Sequence, residues 1–208
     1  MVDTKEKIRN AALKLFNEQG IDVITIRHIA KDLDISHGNL QYHYKNTNDI
    51  ILVLFNELND GFSRVFMQRE NIRHITLEHF RQWIEALIEL IWQYRFIFLH
   101  FVEVTRRVPE IKTIYNSWDK AREEQFFLLF NTLIEEGIFR DDIPPYIWKN
   151  LITQQYIMAD FALSHNEIKV HLKGKKAVQY YSQVLFNQFY PYLTSKGRRQ
   201  ADEHQSAN

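Results

Sequence analysis

At 208 residues the chain is long enough for one large or two small domains at about 150 residues per domain, and its 26 Lys and Arg balance 26 Asp and Glu, which excludes both a charge-rich disordered chain and a globally basic, histone-like binder. Six Gly and four Pro, about 5% of the residues against an average near 12%, favour long helices, while 15 Phe, 10 Tyr and 4 Trp must be placed in a core, an interface or a cavity. The absence of cysteine excludes disulfides, thiolate zinc sites and a cysteine nucleophile.

The first segment is written in helix chemistry. Asp3 and Glu6 have capping-box spacing, and Ile8, Ala11, Ala12, Leu15 and Phe16 recur on one helical face before Gly20 supplies a stop. Thr25 is a good N-cap for a short second helix with Ile26, Ile29, Ala30 and Leu33 inward and Arg27, His28 and Lys31 outward. After Asp34 and Ile35, Ser36 caps a short third helix that buries Leu40 and Tyr44 and turns His37, Gly38, Gln41 and Tyr42 out. Asn46 or Thr47 caps a longer fourth helix carrying Ile51, Leu54, Phe55, Leu58, Phe62, Val65 and Phe66.

Beyond it, Thr76 opens a helix with Phe80, Ile84, Leu87, Ile88 and Ile91 on one face and Trp83, Leu90 and Tyr94 on another. Phe96 to Val104 is apolar nearly all round, and Pro109 begins a helix that runs to Gly137. Pro144 and Pro145 start another through Trp148 and Leu163, and after a turn near Gly174 a final stripe runs from Val178 to Tyr192. The expectation is an all-α chain of about nine helices, with a frayed tail after Lys196. The segment MVDTKEKIRN has no apolar core of a leader, and Phe96 to Val104 contains His100 and Glu103 and falls short of the ~20 residues a membrane span needs, so a cytoplasmic protein without membrane contact is expected.

Helices two and three with their short turn form a helix-turn-helix, in which the second helix enters the major groove of DNA and the first crosses the backbone. Gly38 removes bulk where that helix would meet the groove, and Asn39 and Gln41 carry amides that can donate and accept together, as an adenine edge requires. His37 could read guanine or touch phosphate, and Tyr42, His43 and Lys45 can reach phosphate oxygens. No acid lies between Asp34 and Asp49, although residues 1–50 as a whole hold seven basic and seven acidic groups. Thr25, Arg27, His28, Ser36 and Thr47 complete the expected DNA-facing set.

The run Ile8, Ala11-Ala12-Leu13, Leu15-Phe16, Gly20, Thr25-Ile26, Ile29-Ala30 and Ile35-Ser36-x-Gly38-x-Leu40-x-Tyr42-His43-Tyr44-Lys45 closely resembles the DNA-binding domain of the TetR/AcrR family. That resemblance implies a homodimeric, all-helical transcription factor, usually a repressor, whose C-terminal domain takes a small molecule and whose last two helices pair. The chain departs from the family pattern at three positions. Gln41 stands where an aromatic is common, Thr47 where a lysine often contacts phosphate, and Tyr44 where phenylalanine is usual. Division into residues 1–46 for DNA, 47–195 for ligand and dimer, and a flexible 196–208 follows.

Aromatics between Phe80 and Phe130 with a few polar groups among them suit an apolar cavity. Candidate lining residues are Trp83, Trp92, Tyr115 and Trp118 as walls, His100 and Glu103 in the greasy segment, and Gln155, Tyr156 and Asp160 across a later helix, and the expected inducer is apolar or aromatic. A homodimer face is expected from Leu151, Ile152, Tyr156, Ala159, Ala162 and Leu163 together with Val178, Tyr181, Leu185 and Phe189. His74, Glu78 and His79 lack the spacing of a zinc helix, no catalytic constellation is found, and neither metal nor cofactor is expected. Seven basic residues and no acid lie between Ile168 and Ala201, read as a solvated loop and tail. The expected function is a ligand-responsive regulator acting on a double-stranded DNA operator, most simply a repressor. A helical carrier or sensor of hydrophobic molecules with no role on DNA is the alternative.

Overall fold

The computed structural model describes residues 3–67 and 74–206, without the side chains of 119–121 and 204–206. Asp3 caps α1 (Thr4–Gln19) by accepting a hydrogen bond from the Lys5 amide at 3.4 Å, and Gly20, at φ 85°, ends it by donating to the Phe16 carbonyl at 3.0 Å. Glu6 is not part of that cap. Then follow α2 (Ile26–Asp32), α3 (His37–His43), α4 (Thr47–Met67), α5 (Leu77–Gln93), α6 (Arg95–Leu99) and α7 (Phe101–Arg107). The order finishes with α8 (Pro109–Glu135), α9 (Pro145–His165), α10 (Lys175–Asn187) and α11 (Ser195–Ser206). The fold is all-α, and among the described residues the only β feature is one isolated bridge, Phe139 to Leu193.

Among the described residues there are eleven α-helices rather than about nine, and the difference arises at two places. The greasy segment divides at His100, whose φ of −122° and ψ of 30° interrupt the helix; no Gly or Pro marks the break, and the His100 ring instead packs on α1's end, its Nε2 3.6 Å from where a Cβ on Gly20 would lie. The expected frayed tail is α11. Gly197 makes that helix possible, because a Cβ there would come within 2.6 Å of the Ile138 carbonyl oxygen. Lys196 Nζ donates to the Glu136 carbonyl at 2.7 Å, the Thr194 hydroxyl donates to the Gly137 carbonyl at 2.7 Å, and the Arg198 guanidinium lies over the Tyr190 ring. Part of the basic stretch is therefore engaged within the fold. The final stripe also stops at Asn187, followed by a 3-10 turn at Tyr190–Tyr192.

The chain forms two compact units, residues 1–61 with 93–116 and residues 62–92 with 117–208. In the first, Ile8, Ala12, Phe16, Ile29, Leu40, Ile50, Leu54 and Leu58 are buried together with Phe96 and Ile97. Phe16 and Phe96 meet with ring centroids 5.2 Å apart, and Asn17 fixes α6 beside α1 by donating to the Gln93 carbonyl at 2.8 Å and accepting from the Phe96 amide at 3.0 Å. In the second unit Phe80, Phe130, Phe139, Trp148 and Phe189 form a continuous aromatic core. Phe130 lies 4.9 Å from Trp148 and 5.7 Å from Phe189, and Phe80 meets Phe189 edge-on at 5.0 Å.

Eight of the ten residues expected at a dimer face, Leu151, Ile152, Ala162, Leu163, Val178, Tyr181, Leu185 and Phe189, are buried within the single chain. Periodicity identifies an apolar face but not which neighbour covers it, and here the broader stripe serves the chain's own core. What α9 leaves outside is a narrower face with Ile157 and Phe161 one turn apart, 57% and 47% exposed.

Candidate nucleic-acid interface

Local hydrogen bonding builds the presentation of α3. Thr25 accepts from the His28 amide at 3.4 Å, and the Thr25 amide donates to His28 Nδ1 at 3.3 Å, a reciprocal capping box with histidine as the third residue. The turn after α2 closes through the Ile35 amide to the Ala30 carbonyl at 3.0 Å, with Asp34 at φ 53°, a left-handed conformation that Asp tolerates better than most residues. Ser36 then starts α3 by accepting from the Asn39 amide at 3.1 Å.

Leu40 is fully buried under α3 and Tyr44 closes its end. Arg9 of α1 pairs with Glu57 of α4, and the nearness of the Tyr44 hydroxyl, with Glu57, raises the Arg9 pKa against the opposing effect of burial. The departure from phenylalanine at Tyr44 thus sets a hydroxyl beside the ion pair that joins α1 to α4. Outward from this base His37, Gly38, Asn39, Gln41 and Tyr42 are exposed, Tyr42 at 86%, with Lys45 just beyond. A Cβ on Gly38 would meet nothing within 4 Å, so nothing in the fold demands glycine there. Arg27 and Lys31 on α2 and Lys45 after α3 make no ion pair among the described residues.

Thr47 is a correction. It is buried, and its hydroxyl accepts from Arg107 Nη2 at 3.0 Å, which removes it from the expected phosphate-contacting set. Asn46 caps α4, its side-chain oxygen accepting from the Asn48 and Asp49 amides at 2.8 and 3.1 Å. Arg107, at the end of α7, was not singled out from the sequence. Besides Thr47 it donates to Asn48 Oδ1 at 2.6 Å and the Ile21 carbonyl at 3.2 Å, and it lies 3.8 Å from Asp22. One guanidinium therefore holds α4's start and the α1–α2 connection to α7. The signal available in the sequence was an Arg pair just before Pro109.

The expected ligand-lining residues divide between the units. His100, Glu103 and Tyr115 belong to the first, where Tyr115 meets Phe101 edge-on at 5.0 Å. In the second, Trp83, Trp118 and Tyr156 join Phe62, Phe66 and Phe126 in one aromatic cluster. Trp83 lies 4.8 Å from Phe66, Tyr156 6.1 Å from Phe126, and the Arg122 guanidinium 3.8 Å above Trp118. The Trp83 indole N–H is buried without a hydrogen-bond partner among the described residues. Trp92 and Asp160 are half-buried in the same unit. Gln155 is buried and donates to Gln188 Oε1 at 2.6 Å, so its amide serves packing within the unit. Of the histidines beside Glu78, His74 pairs with Glu136, and His79 accepts from the Thr76 amide at 3.2 Å in a second Thr-x-x-His cap.

A capped seven-residue helix held outward by a preceding helix and a four-residue turn defines a helix-turn-helix DNA-binding head. The model described as "Bacterial regulatory proteins, tetR family" matches residues 8–54, and the TetR model described as "Bacterial transcriptional repressor" matches residues 57–201. The chain belongs to the TetR family of bacterial transcriptional regulators. It is 25% identical over 144 residues to the Probable HTH-type transcriptional regulator YttP of Bacillus subtilis (strain 168), a match covering 65% of each chain. It is 27% identical over 88 residues to the HTH-type transcriptional regulator SAB2452 of Staphylococcus aureus (strain bovine RF122 / ET3-1), covering 42% of this chain and 48% of that one. The chain thus spans less than two thirds of these curated relatives. A TetR-family regulator from Marinobacter aquaeolei VT8 superposes with a TM-score of 0.89 at 26% identity, covering 99% of this chain and 98% of that one. A transcriptional regulator from Saccharomonospora viridis, solved in complex with choline, shares the fold at a TM-score of 0.68 and 20% identity, over 93% and 100% of the two chains. No helix among the described residues is long and apolar enough to cross a membrane.

Proposed function

We propose that this chain is a cytoplasmic, non-enzymatic repressor that binds a palindromic operator as a homodimer and leaves it when a small apolar or aromatic molecule binds. The observation that carries this reading is the exposed face of α3 with Gln41 outward on it, together with exposed Lys45, Arg27 and Lys31, which make no ion pair among the described residues. Two such heads about one turn of DNA apart, ~34–36 Å, would enter successive major grooves. A ligand lowers operator affinity by the difference in its own affinity for the well-spaced and mis-spaced conformations. Its natural place is the aromatic cluster around Trp83, where a buried N–H has no hydrogen-bond partner among the described residues. A regulator that shares this fold was solved with choline, and a quaternary ammonium cation is therefore worth including in a ligand panel.

Fluorescence anisotropy with DNA flanking the chain's own gene tests the reading: binding to an inverted repeat at nanomolar protein is expected, and equal affinity for all fragments would remove it. Gly38→Ala sharpens the test, because alanine fits α3 without strain. It should raise stability by about 0.5–1 kcal/mol, the usual gain over glycine in a helix, yet weaken operator binding by roughly tenfold, about 1.4 kcal/mol, as its methyl meets the groove. Unchanged operator affinity would place that face of α3 away from DNA.

For pairing, the exposed face of α9 with Ile157 and Phe161 is the candidate, and Tyr180 of α10 is exposed as well. An obligate interface of more than ~2,000 Å² is expected. Sedimentation should show a dimer at micromolar concentration that becomes monomeric in Ile157→Asp/Phe161→Asp with its helicity unchanged. A dimer that survives both substitutions would move the interface elsewhere.

A further inference from the structure

Between α7 and the first turns of α8 lies an open groove of about 430 Å³, within the ~300–1,000 Å³ of small-molecule sites. Its apolar wall is built by Phe101 and Tyr115, whose rings meet at 5.0 Å, and by Val102, which is 48% exposed. Over this wall stand two exposed cations, Arg106 and Lys112, and neither makes a hydrogen bond or ion pair among the described residues, although Glu103 lies one turn before Arg106. The Thr105 hydroxyl is already committed to the Val102 carbonyl at 3.0 Å. An apolar body with an anionic end matches such a wall and such a rim, since the guanidinium offers paired donors to a carboxylate, sulfonate or phosphate and the ammonium adds a second charge.

We propose that this groove binds an amphipathic organic anion, an aromatic or acyl body ending in an acidic group. The site lies in the first unit, and none of its lining residues belongs to the aromatic cluster around Trp83. Its position also makes it regulatory, a consequence that rests on the DNA-binding reading above. Arg106 reaches the ligand, and the next residue, Arg107, holds Thr47, Asn48 and the Ile21 carbonyl, so a ligand that shifts the end of α7 acts directly on what supports the DNA-binding head.

The probes are 2-naphthoate and its uncharged analogue 2-naphthamide, titrated calorimetrically into the full chain without DNA. Wild type is expected to bind naphthoate at least tenfold more tightly than naphthamide, and Arg106→Gln/Lys112→Gln, with circular dichroism confirming its helicity, should lose that preference. A preference absent in wild type, or kept by the double variant, overturns the site. Naphthoate should also change wild-type operator affinity fivefold or more, and an unchanged affinity with the groove occupied overturns the regulatory part. If the double variant instead loses operator affinity with no probe present, the two cations serve DNA phosphates and the proposal fails. Because the first measurement contains no DNA, a chain that binds naphthoate in this way but no operator would defeat the repressor reading and leave this site standing.

Discussion

Gln41→Ala is expected to relax base preference at one position in each half-site while leaving the salt dependence of binding nearly unchanged. The Gln41 side chain is exposed on α3, and its amide can pair with adenine N6 and N7, an interaction worth about 1–3 kcal/mol of discrimination. Lys45 lies just past the same helix and has no ion-pair partner among the described residues. Its flexible cation is suited to phosphate. Lys45→Ala should therefore weaken all sequences alike and reduce the slope of log affinity against log salt by about one for each phosphate that is no longer neutralised. In a dimer each change acts twice. Anisotropy on one operator and its single-base variants, repeated over a salt series, separates the two effects. Equal, sequence-independent losses for both variants would contradict the assignment, as would altered base preference for Lys45→Ala alone.

Phe130→Ala should be the most destabilising single change, by about 3–5 kcal/mol as for other buried aromatic truncations. Its ring is 1% exposed and lies 5.7–5.9 Å, centroid to centroid, from Phe126, Phe139 and Phe189, and 4.9 Å from Trp148. Removing it opens a cavity whose other walls are rigid rings that cannot collapse inward. Leu128→Ala is the internal control, because that side chain is 58% exposed on α8 and its loss should change folding stability little, within about 0.5 kcal/mol for a surface site. Urea unfolding of both variants checks the contrast, and similar midpoints for the two would show that the aromatic core is not what holds the second unit.

The helix boundaries were most legible in the sequence where local chemistry sets them. Thr25, Ser36 and Thr76 cap helices, Pro109 and Pro145 begin them, and Gly137 and Gly174 take positive φ at turns. The outward set on α3 was legible for the same reason, since a cap and a four-residue spacing fix which side chains a short helix buries. Residues whose role depends on a distant partner were not. Thr47 reads as a surface hydroxyl until Arg107, sixty positions later, donates to it. His28 and His79 read as outward or scattered histidines because the third position of a capping box is usually Glu or Gln. The apolar stripe of α9 and α10 is mostly buried within the chain itself, because hydrophobic periodicity marks an apolar face but carries no label for self or partner.

The first unit draws on two separated stretches, residues 1–61 and 93–116, and this limits how far the head is modular. A fragment cut at the end of the helix-turn-helix, or a chimera that transplants residues 1–54 onto another scaffold, would carry Phe16 without Phe96, Asn17 without the Gln93 carbonyl and Phe96 amide, and Thr47 and Asn48 without Arg107. Such a graft would present the same recognition surface on a support with its apolar underside open to water and a row of polar groups unmatched. A transplant that keeps its specificity needs α6 and α7 as well, and so must cross the chain twice rather than once.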